Sequence, residues 1–385
     1  MKENSKILLK ESASGKTWLS AKPAALHLET VRGCHSACCM CEVPHDSSPP
    51  VKMPPSLLKK IEPYFADLEY LCVHGLGEPL LGNLDYFVCQ AIRHDFVCHM
   101  NSTGFHLTPA VTDLLLKAKL SIRFSIHAGR PATYRKIMGK DFEHVIPRIA
   151  HLIKESKRRG KNDEFWFCFV VMKENIDEIP DILQLAHDCG VTTVRFSPLA
   201  PNRFTVRGIF FKKRNFRFLF REQWNKHVHQ KFLNRYALYQ EQAQSLNIKL
   251  ECDKLLSYSN LLNPHPRLYY LWQYLYAPRK KPSCLAPWLG QFNININGEV
   301  QLCCSSPKVI GHLRESSLDE LWNNPMMQDI RKTFARARYP FVCGSCRGYG
   351  FSNLPQNTPL AQDKSSLPPN CPTSSSELVA AFPAN

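Results

Sequence analysis

The sequence predicts an α/β protein: an open, partial (β/α)6 barrel, TIM-like in its wiring, followed by a small cysteine-rich C-terminal domain containing a β-hairpin. Three observations predict it. Short apolar and β-branched runs alternate with helical segments between residues 24 and 200, which implies crossover connections and a mostly parallel sheet. About six such units fit there, too few for a closed eight-stranded barrel and enough for an open one. A later segment begins and ends with cysteines and holds the runs FNININ and EVQLCC around Asn297-Gly298, a strong hairpin signal.

The elements follow in order. AALHLE (24–29) reads as a short strand feeding straight into RGCHSACCMC, and residues 30–50 as a loop rich in Cys, Pro and Ser. Residues 56–66 are helical, and EYLCVHG (69–75) is a buried strand ending at the glycines of GLGEP. FVCHMN (96–101) is the next strand; helical TPAVTDLLLKAK leads into LSIRFSI (120–126). A helix over 141–158, the strand EFWFCFVVM (164–172), a helix over 176–188 and the strand TTVRFSPL (192–199) complete the barrel. The domain bounds are then 1–23 for an N-terminal extension and 24–202 for the barrel. A basic and helical linker spans 203–283, with helices near 222–247 and 266–277, and the cysteine-rich domain spans 284–350. The Pro-, Ser-, Asn- and Gln-rich tail, 351–385, has the composition of a disordered or loosely draped segment.

Bulk properties exclude several classes. A chain of 385 residues with 44% hydrophobic content can bury a sizeable core. It contains no apolar run long enough to span a bilayer and no secretory h-region, so the expectation is a cytoplasmic protein without membrane insertion. The net charge of +16 suggests an anionic partner. Sixteen cysteines without an export signal read as reduced thiols and metal ligands. Cys72, Cys89, Cys98, Cys168 and Cys189, isolated among apolar residues, read as small buried hydrophobes. The segment 203–221, RFTVRGIFFKKRNFRFLFR, interleaves basic residues with phenylalanine and has no acid. It is either a solvated basic face or a surface for RNA, a nucleotide or an acidic peptide.

Within RGCHSACCMC, three thiols fall at Cys34-x3-Cys38-x2-Cys41. That spacing lets one loop wrap a cubic iron–sulfur cluster while supplying three of its four ligands, so the fourth iron is open to another group. The loop follows a strand, at the carboxyl edge of a parallel sheet where ligands bind, and no Cys/His pair sits downstream at zinc-finger spacing. A second set, Cys284, Cys303, Cys343 and Cys346, completes a tetrathiolate site by itself. Its spacing suits zinc and a [4Fe–4S] cluster equally.

At these residues the sequence resembles the radical S-adenosylmethionine (SAM) enzymes, whose signature is Cys-x3-Cys-x2-Cys after the first strand. GLGEP (75–79) resembles that family's GGEP motif, NSTG (101–104) its polar strand end, and FSIHAG (124–129) its SIDG segment. VVMKEN (170–175) and FSPL (196–199) match the last two strand ends. The resemblance implies that Cys34, Cys38 and Cys41 ligate a [4Fe–4S] cluster whose fourth iron binds SAM. It implies cofactor contacts at Gly75, Gly77, Glu78, Pro79, Asn101, Ser125, Lys173 and Ser197. It also implies a low-potential electron donor such as flavodoxin or ferredoxin, and reductive cleavage of SAM to a 5'-deoxyadenosyl radical that abstracts a substrate hydrogen. Leu76 and His127 depart from the family pattern. Cys39 is left as a packed thiol and Met40 as a packing residue.

The second set resembles the auxiliary-cluster extension of SPASM and Twitch radical enzymes, with APW (286–288), NGEVQLCC, IGHL (310–313) and LDELWNN (318–324) as companions. This implies one auxiliary [4Fe–4S] cluster on Cys284, Cys303, Cys343 and Cys346, because Ser352 stands where a further cysteine would follow. Cys303 is preferred to Cys304 by the Gly-x4-Cys spacing. Candidate catalytic residues are His127, Tyr134, Cys252 and Cys304, and His35 and His74 are candidates for the cavity wall. The implied reaction is oxidative modification, crosslinking or epimerisation in peptide or natural-product maturation. Alternatives are a sugar or nucleotide dehydrogenase or epimerase, and an RNA-binding or RNA-modifying protein using 203–221.

Overall fold

The computed structural model describes residues 1–43, 49–200, 208–211, 216–256, 284–304, 306–338 and 340–343. One ten-stranded sheet organises them. Its strands in chain order are β1 (Ala25–Leu28), β2 (Tyr70–Val73), β3 (Val97–Ser102), β4 (Leu120–Ser125), β5 (Glu164–Val171) and β6 (Thr193–Pro198). They continue with β7 (Lys249–Glu251), β8 (Phe292–Ile294), β9 (Glu299–Cys303) and β10 (Ser306–His312). Across the sheet the order is β7-β6-β5-β4-β3-β2-β1-β8-β9-β10. Every pairing from β7 to β8 is parallel, and β8-β9 and β9-β10 are antiparallel. This is the parallel-strand sheet of a partial barrel.

The alternation along β5 shows why these residues make such a wall. Phe165, Phe167, Phe169 and Val171 are buried, in one core cluster with Val145, Ile149, Leu152 and Ile153 of the helix Phe142–Arg158. Each such burial contributes about 1.5–3 kcal/mol. The intervening Glu164, Trp166, Cys168 and Val170 are half-buried on the other face, which lines the inside of the barrel. Local signals set the helix ends. Thr108 caps Pro109–Leu115 by accepting the Val111 N–H, and Gly190, at φ +77°, ends Ile179–Cys189.

Four features differ from the sequence reading. Helices Glu3–Ala13, Leu84–His94 and Pro131–Met138 appear where no helix is expected. Strand β7 follows the helix Lys226–Ser245 and pairs with β6, so the barrel wall reaches into the expected linker. The C-terminal hairpin does not stand apart: β8 pairs with β1 through Leu26–Phe292, His27–Asn293 and Leu28–Ile294. Cys72 is buried with Ala25, Tyr70 and Val97 as expected, its sulfur also lying beside His27 and His74, whereas Cys168 is only half-buried, on the inner face of β5. Of the basic segment, Ile209–Phe211 and Phe216–Phe218 form an antiparallel pair, while most of its other residues, and the helix expected over 266–277, lie outside the described residues.

The N-terminal residues are tied to the C-terminal segment. Arg331 is fully buried and donates to the carbonyls of Thr17, Pro287 and Trp322. Trp288 and Trp322 donate from Nε1 to Lys16 and Ala21. No described helix is long and apolar enough to cross a membrane.

Candidate functional site: the cysteine loop and the barrel mouth

β1 delivers the chain to Cys34 at the carboxyl edge of the sheet, and backbone contacts then fix the loop. Gly33 donates its N–H to Leu76 O at 2.9 Å, and Glu78 N–H returns to Gly33 O at 3.1 Å. A Cβ on Gly77 would lie 2.4 Å from Val31 O, and one on Gly75 2.4 Å from Glu29 Cγ, so only glycine lets GLGEP lie this close. On the far side, Ala37 and Cys39 N–H donate to Met138 O and Ile137 O at the end of the helix Pro131–Met138.

Cys34, Cys38 and Cys41 are half-buried, whereas Cys39 is 1% exposed and packs into the core. The Ser36 N–H points at Cys34 Sγ (3.4 Å) and the Val43 N–H at Cys41 Sγ (3.5 Å). Burial pushes the Cys34 thiol up to about 11, against the Ser36 N–H, and the Glu78 charge pushes the same way. Tyr134 is fully buried, and its hydroxyl has no hydrogen-bond partner among the described residues. The charges of Cys38 and Glu78 both reach it. Three thiols in one curled loop, amide donors aimed at sulfur and a buried hydroxyl without an acceptor fit an anionic iron–sulfur cluster. Cys34, Cys38 and Cys41 would hold it.

The neighbouring strand ends close the mouth. The Glu78 carboxylate is buried and accepts from Ser102 Oγ (2.6 Å), Thr103 N–H (2.9 Å) and Thr103 Oγ1 (2.8 Å). Burial raises its pKa and those bonds oppose the rise. The carboxylate thus joins the GLGEP loop to the end of β3. Pro79 is buried behind it. Asn101, Ser125 and Ser197 are half-buried on the inner face of β3, β4 and β6, and Lys173 is exposed beyond β5.

The catalytic candidates separate. His127 is 8% exposed, and its Nδ1 accepts the Val170 N–H at 3.2 Å, so the imidazole is spent on the β5 backbone. Burial lowers its pKa to about 4. Cys252 is buried and donates to Tyr236 Oη at 3.2 Å. Cys304 is exposed, yet close enough to Tyr70 and Cys72 for its charge to raise both of their pKa values. His74 lies on the inner wall; His35 is exposed, its ring 5.1 Å from that of His106.

In the second set, Cys284, Cys303 and Cys343 are half-buried, and Cys346 lies outside the described residues. Ser306 Oγ, from the strand after Cys303, donates to Val342 O beside Cys343. Because β9 runs antiparallel to β8, it carries Cys303 to the amino edge of the sheet, opposite the Cys34 loop.

Two residues escaped the sequence reading. Glu29, buried, accepts from Arg32 Nε and Nη2, Leu76 N–H and Ile296 N–H, joining the cysteine loop, GLGEP and the C-terminal hairpin. Asn175, fully buried, donates to His127 O and Val170 O and accepts from Met172 N–H. An acid closing the first strand was Glu29's only available signal; Asn175 had none beyond its place in VVMKEN.

Known families and folds agree with this geometry. The radical SAM superfamily model matches residues 28–186, and the SPASM iron–sulfur cluster-binding domain model matches residues 284–347. Among solved structures, Streptococcus suis SuiB bound to precursor peptide SuiA is similar at 12% identity and a TM-score of 0.58, covering 86% of this chain and 71% of that one. Native anSMEcpe with bound AdoMet and the Cp18Cys peptide is similar at 16% identity and a TM-score of 0.54, covering 81% and 84%. At such identities these likenesses establish the fold. No curated protein matches the chain by sequence.

Proposed function

Because this chain belongs to the radical SAM superfamily and carries a SPASM iron–sulfur domain, we propose that it oxidatively modifies, crosslinks or epimerises a peptide or peptide-derived substrate. Its cofactors are SAM and [4Fe–4S] clusters, one in the Cys34 loop and an auxiliary one in the SPASM segment. One observation carries the reading: Cys34 and Cys303 stand at opposite edges of the same sheet, with a polar-lined barrel interior between them. When bound, the first cluster would supply the electron for reductive cleavage of SAM, and the auxiliary cluster would supply an acceptor for the electron released where the outcome is an oxidation.

The chain's own residues do the positioning. The backbone edge of Gly75–Gly77, Asn101, Ser125 and Ser197 would hold SAM at the mouth. Buried Glu78 and Asn175 keep the strand ends fixed, and the packed outer face keeps water from the chamber. A peptide substrate is favoured by the two similar structures, both of which hold peptides. A flavodoxin or ferredoxin in the cytoplasm would deliver the electron. Anaerobic reconstitution tests the reading: about eight irons and eight sulfides per chain are expected, with 5'-deoxyadenosine formed under dithionite. Two bound zincs and intact SAM would refute it.

A further inference from the structure

The inner wall of the barrel carries a cation that no carboxylate among the described residues pairs with. Arg123 lies on the inner face of β4, half-buried. Among the described residues it forms no hydrogen bond or ion pair, and its Nε is buried without a partner. What it does contact is the Trp166 ring, 4.8 Å from the guanidinium. Arg195 approaches the same ring at 4.6 Å, but its charge is met by Glu251, which accepts from its Nε and Nη2 at 3.0 and 2.6 Å. The two arginines therefore differ: one is balanced, the other is not.

The neighbours of Arg123 do not supply the missing charge. Asn101 is its partner across β3–β4, and the Asn101 side-chain oxygen is likewise buried without a partner. The Arg123 charge acts to lower the pKa of His27, Tyr70, Cys72, His74 and His99. The Glu164 carboxylate, on the same face of β5 as Trp166, accepts from Ser121 Oγ and makes no ion pair with Arg123. Burial, with Arg123 assisting, holds His27 near 3 and His74 near 4, so both imidazoles are neutral. His27, Cys72 and His74 bring their donor atoms within 4.8 Å of one another, a spacing that could suit a metal ion. A neighbouring unpaired guanidinium works against a cation there and for an anion.

We propose that Arg123 receives a carboxylate or phosphate group of the substrate inside the barrel, beneath the SAM site to which Asn101 belongs. The planar fork of arginine suits either group through two parallel N–H···O bonds. Arg123 precedes Ser125 by two residues on β4, about 7 Å deeper than the strand edge. An anionic group bound there enters first, and the reacting carbon is held between it and the mouth. Arg123 is then a substrate-positioning residue. The inference rests on the barrel interior being the reaction chamber proposed above, and its test keeps the two readings apart.

The test uses the reconstituted, SAM-saturated holoprotein, titrated calorimetrically with acetate and with inorganic phosphate at constant ionic strength. Saturable binding of one of them is expected, weakened at least tenfold in Arg123→Gln and partly restored in Arg123→Lys. The anion that binds tells carboxylate from phosphate. SAM cleavage under dithionite should survive in Arg123→Gln, which shows that the variant is folded and that the cofactor site is separate. A thermal midpoint equal to or above the wild type's is expected for Arg123→Met, since it removes an unpaired, half-buried cation and keeps an apolar side chain against Trp166. Equal anion affinity in wild type and Arg123→Gln would overturn the proposal. So would binding that appears only when SAM is omitted, because the anion on Arg123 would then be SAM's own carboxylate. Absence of SAM cleavage in the wild type would instead count against the functional reading.

Discussion

The loop carrying Cys34, Cys38 and Cys41 and the segment carrying Cys284, Cys303 and Cys343 both present half-buried thiols, yet they are built in different ways. The first is local. Eight residues hold all three thiols; Ala37 and Cys39 among them bond to Met138 and Ile137, and the preceding Gly33 bonds with Leu76 and Glu78, so the loop is clamped on two sides. The second is assembled from distant pieces: the start of a short helix, the end of a hairpin strand and a 3-10 turn (Phe341–Cys343), drawn together by the sheet and by Ser306 on Val342. A local site depends on a short stretch of backbone; an assembled one depends on long-range pairing.

Single thiols give the sharpest way to break that comparison. Cys34→Ala should remove about four irons per chain and abolish SAM cleavage, whereas Cys39→Ala should keep full iron and lose only a small amount of stability, as a packed thiol would. Cys303→Ala should also cost about four irons while sparing SAM cleavage, and Cys304→Ala should cost none. Iron and sulfide analysis with a 5'-deoxyadenosine assay reads all four. Equal iron loss in Cys303→Ala and Cys304→Ala would mean that hairpin geometry does not choose the ligand.

Glu29 bridges the two regions, so its loss should affect both. Glu29→Gln keeps the shape but weakens the pairing with Arg32 and removes an acceptor for the N–H groups of Leu76 or Ile296. Arg32 is partly exposed and can recruit water, so the expected destabilisation is about 2–3 kcal/mol, below the cost of a fully buried pair. Urea unfolding of the apoprotein measures it. A change below about 0.5 kcal/mol, the scale of an ordinary surface substitution, would show that the regions are not joined here.

The same contrast explains what could be read from the chain. Strands such as Glu164–Val171 announce themselves, because alternate residues meet a helix layer and a cavity. Gly75 and Gly77 are legible because a tight approach admits no other residue. Lys249–Glu251 carries no such pattern: three residues become a strand only by pairing with β6. The Leu26–Phe292 pairing spans most of the chain, and neither segment's local sequence encodes it. Cys72 is legible in part: it packs with Ala25, Tyr70 and Val97 as its apolar sequence neighbours suggest, while His27, brought in by strand pairing, also lies beside its sulfur.

Tyr134 gives the smallest effect and the finest distinction between the two regions, because the first thiol set has a buried hydroxyl beside it whose proton has no acceptor among the described residues. Donated to a cluster sulfur or to the Cys38 thiolate, that proton would stabilise the reduced, more negative state and raise its potential. Tyr134→Phe should therefore lower the potential of the SAM-binding cluster by roughly 40–60 mV, equivalent to a hydrogen bond of about 1 kcal/mol. The auxiliary cluster should be unaffected. The apoprotein should be as stable as the wild type or slightly more so, since an unsatisfied buried hydroxyl is removed. Redox titration followed by EPR, with SAM present to mark the first cluster, separates the two signals. If the auxiliary potential moved equally, Tyr134 would be acting through general packing. A drop confined to the SAM-binding cluster, with no loss of apoprotein stability, would require the hydroxyl itself to reach the sulfur.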